Sequence, residues 1–150
     1  MWKKIALASL LLWIVSISFI TYKFVKGNAV QVDNRVEVRL SAGDRDLVLG
    51  EMRTLLKGVK GIIKGLSEDD KAFIENSARG NGMIMAQDVN PALMMKLPKA
   101  FKAMGVSVHK DFDDIANKVH GMDTKQVLSN LNTVMNKCIS CHQTYKIIEE

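Results

Sequence analysis

The sequence predicts an all-α protein, an antiparallel four-helix bundle preceded by an N-terminal transmembrane or signal-anchor helix. Three observations predict it. The run from Ile5 to Tyr22, eighteen residues, carries no charge. Downstream, apolar residues recur at alternating intervals of three and four in several segments. Short polar clusters of helix-starting residues separate those segments. The 150 residues allow one ordinary domain, and 47% hydrophobic with 25% charged residues exclude a disordered or collagen-like chain.

Residues 1–26 are the membrane anchor or signal segment. Lys3 and Lys4 precede the uncharged run, and Lys23 and Lys26 follow it. At ~1.5 Å per residue the run reaches about 27 Å, the short end of a bilayer core. Trp2, Trp13 and Tyr22 include rings suited to the interface. The alternative is a cleaved signal peptide, with Gly27-Asn28-Ala29 supplying small residues for cleavage after Ala29. Lys23, Lys26 and the bulky Phe24-Val25 argue for retention. Either way the rest of the chain is exported: membrane-anchored with its domain in the periplasm or another exported side, or soluble and periplasmic if cleaved. Lysines on both flanks leave the orientation undecided. Without these four lysines, 17 basic residues face 16 acids. The basic balance therefore gives little support to nucleic-acid binding, and no nucleic-acid partner is expected.

Residues 27–40 have no helical period. Val30, Val32, Val36, Val38 and Leu40 alternate with polar residues around Asp33-Asn34-Arg35, which fits a small hairpin. An extended linker lying on the domain is the simpler expectation. From Ser41 the period changes. Leu49, Met52, Leu56, Val59, Ile63 and Leu66 form one face of a first helix, which Gly50, Gly58, Gly61 and Gly65 weaken by up to ~1 kcal/mol each. Ser67-Glu68-Asp69-Asp70 reads as the cap and acidic first turn of a second helix carrying Phe73, Ser77, Ala78 and Met85. Asn90-Pro91 opens a connector with a turn at Ala92–Lys96. Pro98 takes the first position of a third helix. Its stripe is Phe101, Gly105, Val108, Phe112, Ile115 and Val119, and Gly121 stops it. Asp123-Thr124-Lys125-Gln126 starts the last helix in capping-box fashion. Leu128, Leu131, Met135, Cys138, His142, Tyr145 and Ile148 form its face. Four such helices over 41–150 predict the bundle.

The chemistry concentrates in Cys138-Ile139-Ser140-Cys141-His142. C-x-x-C-H is the spacing of c-type haem attachment. Cys138 and Cys141 form thioethers to the two vinyl groups, and His142 turns its imidazole to the iron. Cys138 and His142, four apart, share a helix face. A redox C-x-x-C would accompany a βαβ pattern, which is missing. A zinc site wants four ligands, and only His109 and His120 remain as further histidines. A disulfide between these cysteines would close a tiny loop at poor geometry. One covalently attached haem c is the expected cofactor.

Cys138-Ile-Ser-Cys141-His142-Gln-Thr-Tyr145-Lys146, near the C-terminus of a four-helix chain, resembles the cytochrome c-prime family and its low-spin relatives. The resemblance covers about residues 41–150. Tyr145 matches the family's aromatic residue three after the haem histidine, and Lys146 stands where Arg is usual. Arg45-x-x-x-Leu49-x-x-Met52 resembles the family's distal helix. The resemblance implies that Arg45 meets a haem propionate and that Leu49 covers the open side of the iron. It also implies that a Met on this helix, here Met52, is the sixth ligand in low-spin members. The N-terminal anchor departs from the soluble members and leaves a homodimer, or a place within a larger membrane complex, open.

The distal position decides the function. His/Met ligation by His142 and Met52 suits electron transfer. A five-coordinate haem under Leu49 suits binding of NO or CO. Core packing is the plainer role of Met52, since Met fills gaps readily. Met83 and Met85 are weaker candidates, and Met104, Met122 and Met135 are expected to pack or to lie on the surface. His109, beside the third helix's stripe, and His120, at its end, are candidate sixth ligands, but both are expected to be solvated. Arg53 is a second candidate for a propionate. The expectation is a non-enzymatic carrier passing single electrons between redox partner proteins, with gas binding or sensing as the alternative.

Overall fold

The computed structural model describes residues 2–87 and 90–150. Met1 of the anchor segment and the Val32 side chain of the alternating run lie outside them. The protein is mostly α-helical, with an N-terminal apolar helix and one small sheet. Helix α1 (Trp2–Lys26) buries none of its residues and is long and apolar enough to cross a membrane, as an anchor or a signal sequence does.

Residues 27–40 form the small hairpin that the alternation fits, not the extended linker of the simpler expectation. Strands β1 (Ala29–Val32) and β2 (Arg35–Leu40) pair antiparallel, Ala29 opposite Val38 and Val32 opposite Arg35. Asp33 turns the chain at φ 50°, and its Oδ1 accepts from the Arg35 amide at 3.0 Å. Short polar residues tolerate that conformation best after Gly. The other edge of β2 takes β3 (Tyr145–Glu149) in parallel, with Val36 opposite Tyr145 and Leu40 opposite Glu149. Tyr145 and Ile148 are therefore on a strand, not on the face of the last helix. Tyr145-Lys146-Ile147 satisfies both a helical and an alternating pattern, and the open edge of β2 decides for the strand. Tyr145 and Ile147 pack on Val38 and Leu40, both fully buried.

Helix α2 (Ala42–Ser67) starts at the Ser41 cap, whose hydroxyl accepts from the Asp44 amide. Helix α3 (Lys71–Arg79) starts at Asp70, not Ser67, and the Asp70 carboxylate accepts from the Phe73 amide at 2.8 Å. Two short helices, α4 (Met83–Gln87) and α5 (Pro91–Lys96), lead to α6 (Lys99–Lys118) and a 3-10 turn at Val119–Gly121. Helix α7 (Thr124–Thr144) begins with the expected capping box, Asp123 and Gln126 bonding reciprocally at 2.7 and 2.8 Å. Helices α2, α3, α6 and α7 pack successively against one another. Since α3 has nine residues against 26, 20 and 21 for the others, the arrangement departs from a regular four-helix bundle.

The α6 stripe buries Phe101, Val108, Phe112 and Ile115 as its period predicts. On α2 the buried face is Val48, Val59 and Ile62, while Leu56 and Ile63 are 64% and 52% exposed. Two apolar clusters result. A lower one joins Val59, Ile62, Ile74, Phe112, Ile115 and Val134. An upper one joins the sheet to Val48, Leu93, Leu97 and Phe101.

Candidate functional site

Between the two clusters, α2 and the α6–α7 pair stand apart around a cavity of about 450 Å³. Its wall is almost wholly apolar: Val48, Leu55 and Val59 from α2, Phe101, Val108 and Phe112 from α6. Both thiols of the C-x-x-C-H motif line it, as does His142. Cys138 packs on the lower cluster and Cys141 on the upper one, so the pair straddles the junction. Neither is in a disulfide. Burial pushes both thiols up, which keeps them protonated at neutral pH.

Met52 of α2 lines the same cavity as the motif. The carbonyl oxygen of Asn81 accepts from Nδ1 of His109 at 2.8 Å, and the Asn81 side chain packs on Gly58. Gly58 of α2 and His109 of α6 are therefore level. Lys137 of α7 reaches the Ser107 carbonyl at 3.3 Å and Asp111 at 2.5 Å, which sets α7 against α6. Six residues up α2 from Gly58 is Met52, and five residues on from Lys137 is His142. At ~1.5 Å of rise per residue Met52 lies about 9 Å along α2 from Gly58 and His142 about 7.5 Å along α7 from Lys137. A second, smaller cavity of about 180 Å³ continues upward from there, and Leu49, Met52, Phe101, Cys141 and His142 line both. Arg35, Tyr145, Lys146 and Ile147 complete it. The Lys146 ammonium pairs with Asp33 at 3.0 Å and with Glu37 at 3.3 Å, and Arg35 stands 3.8 Å from Asp33. Tyr145 meets Phe101 edge-on, ring centroids 5.3 Å apart.

No protein-family model, curated protein or solved structure matches this chain. The resemblance to the cytochrome c-prime family therefore rests on the residues quoted for it.

The site brings together Cys138, Cys141, His142, Met52, Leu49 and Tyr145. It does not include Arg45, which pairs with Asp46 at 3.6 Å and lines neither cavity. Arg53 lines the larger one. His109 is 7% exposed, not solvated, because the Asn81 carbonyl draws its ring inward. His120 stays at the surface with Glu75, 2.8 Å away. Met104 and Met135 line the cavity. Met83 and Met85 do not line either cavity.

Sequence reasoning missed Glu51, Arg35 and Lys146 as lining residues, and His109, a candidate ligand expected to be solvated, lines the larger cavity. Glu51 lies half-buried in the apolar wall, and that burial pushes its carboxyl up, partly offset by His109. Among the described residues no three His, Cys, Asp or Glu side chains converge as a metal cluster. A haem iron takes only one or two side-chain ligands, and the residues of this cavity that could hold one are Cys138, Cys141, His142 and Met52.

Proposed function

We propose that the protein is an exported, membrane-anchored monohaem c-type cytochrome of the c-prime kind that carries single electrons between redox partners. One observation carries the reading. Both thiols of a C-x-x-C-H motif line one apolar cavity together with His142 and, from α2, Met52. Cys138 and Cys141 would supply the sulfurs for covalent attachment, and His142 an imidazole ligand. Met52 would supply a thioether. Phe101, Phe112, Val108 and Val59 would keep water from the bound group. Arg35, only loosely paired at 3.8 Å from Asp33, would suit one of its carboxylates through a charge-assisted bond. The cofactor, when bound, supplies a one-electron ferric/ferrous couple whose potential thioether ligation raises.

Covalent haem attachment occurs outside the cytoplasm, so in this reading the domain lies on the exported side, tethered by α1. Leu49, which lines both cavities beside Met52, favours a second reading, a five-coordinate haem that binds NO or CO under an apolar cover. Absorption spectra of oxidised and reduced protein, with and without CO, separate the two. The carrier reading predicts low-spin spectra that CO leaves unchanged. A high-spin haem that takes up CO selects the gas reading, and a purified chain with no haem absorbance overturns both.

A further inference from the structure

A retained anchor on an exported domain is ordinarily a tether, and here it is docked. Only Gly27 and Asn28 separate α1 from β1. Gly27 has φ +59° and donates to the Lys23 carbonyl at 2.8 Å, closing the helix in a conformation that suits Gly. A Cβ there would lie 2.0 Å from the Lys96 carbonyl oxygen, so backbone packs on backbone. Asn28 donates its amide to that same oxygen at 2.8 Å and accepts the Arg39 amide at 3.0 Å. Its side chain accepts from Lys23 Nζ at 3.0 Å and donates to Glu150 at 2.6 Å. Lys102 of α6 donates to the Phe24 carbonyl at 3.0 Å, with its Nζ 3.6 Å from the centre of the Phe24 ring.

These contacts fix a height. The uncharged run of α1 ends at Tyr22, so Lys23, Phe24 and Lys26 mark the headgroup level. Lys102 reaches that level with its ammonium. Phe101, its neighbour in the chain, lines both cavities and packs on Tyr145. The cleft thus begins within a turn of the contact that touches the anchor. Resting on the reading of the protein as a haem electron carrier with α1 as its retained anchor, we propose that the docked anchor holds the cleft at a fixed height against the bilayer surface. Its electron-transfer partner is a protein embedded in the same membrane.

The test uses the full chain in lipid nanodiscs and needs no haem. Cys141→Ser leaves Cys138 as the single thiol for an acceptor dye, with donor dyes on the lipid headgroups. A second version carries an eight-residue Gly-Ser insertion between Gly27 and Asn28, a flexible span of about 16 Å. Energy transfer is expected to be strong in the first chain and at least about twofold weaker with the insertion, which frees the domain. Equal transfer overturns the docking. A chain that does not co-purify with the discs fails the anchor reading instead. For the partner, native membranes should reduce the haem-loaded chain several-fold faster than its insertion variant. Equal rates, or reduction by the soluble fraction alone, overturn an embedded partner.

Discussion

Replacing Gly58 with Ala tests the contact that closes the deep end of the cleft. The new Cβ would lie 2.1 Å from Nδ2 and 2.6 Å from Cγ of Asn81. Asn81 is 5% exposed and donates to the Ser77 carbonyl at 2.8 Å, while its own carbonyl holds His109. It cannot withdraw without breaking one of these bonds. Ala gains up to ~1 kcal/mol in helix propensity. Overpacking costs ~1–3 kcal/mol, and an unsatisfied buried polar group ~1–3 more. The net is a destabilisation of about 1–5 kcal/mol. Gly50→Ala is the control: its nearest neighbour is Arg53 Nη2 at 3.8 Å, so it should stabilise by ~0.5–1 kcal/mol. Urea unfolding of the full chain in detergent, followed by helical circular dichroism, reads both. At a slope of ~1–3 kcal/mol per molar urea, the Gly58 midpoint should fall by several tenths of a molar or more. A Gly58→Ala midpoint at or above the wild type, or both variants shifting the same way, refutes the reasoning.

Met52→Leu keeps the volume at a cost under ~1.5 kcal/mol but removes the thioether, so a low-spin haem should become high-spin and its potential should fall. An unchanged low-spin spectrum reduces Met52 to packing. Glu51→Gln should raise the Tm of the haem-free chain at neutral pH, because burial holds the Glu51 carboxyl above its unfolded value. Ionisation then favours the unfolded chain, a penalty that grows as pH rises from the unfolded value through the folded one. The gain should vanish below about pH 4, where both states are protonated, and an equal gain there contradicts this account. The mature protein should keep Lys3 and Lys4 and stay with membranes through a high-salt wash, since salt screens charge and not apolar burial. A mature N-terminus at Val30 contradicts retention.

The α6 stripe and the α7 capping box were legible because apolar period and cap chemistry agreed there with tertiary packing. So was the motif that places two thiols and an imidazole on one helix face. On α2 the reading failed where the cavity begins. Leu56 belongs to the periodic face but is exposed, since no side chain fills the space opposite it. Glu51 looks like a solvated residue until the breadth of that cavity is known. His109 needed a partner from a distant loop, the Asn81 carbonyl, which periodicity cannot supply. Arg35 and Lys146 meet only because β3 adds in parallel to β2, a pairing between the two ends of the domain. Non-local register of that kind leaves little trace in local composition.

The intact mass of the purified full-length chain, produced in a host that assembles c-type cytochromes and measured after denaturation in acid, tests the central claim most directly. The account predicts a mass greater than that of the polypeptide by one haem, with Cys138 and Cys141 both resistant to alkylation and the increment lost when both are changed to Ser. A chain at bare polypeptide mass, with both thiols open to alkylation, would contradict it.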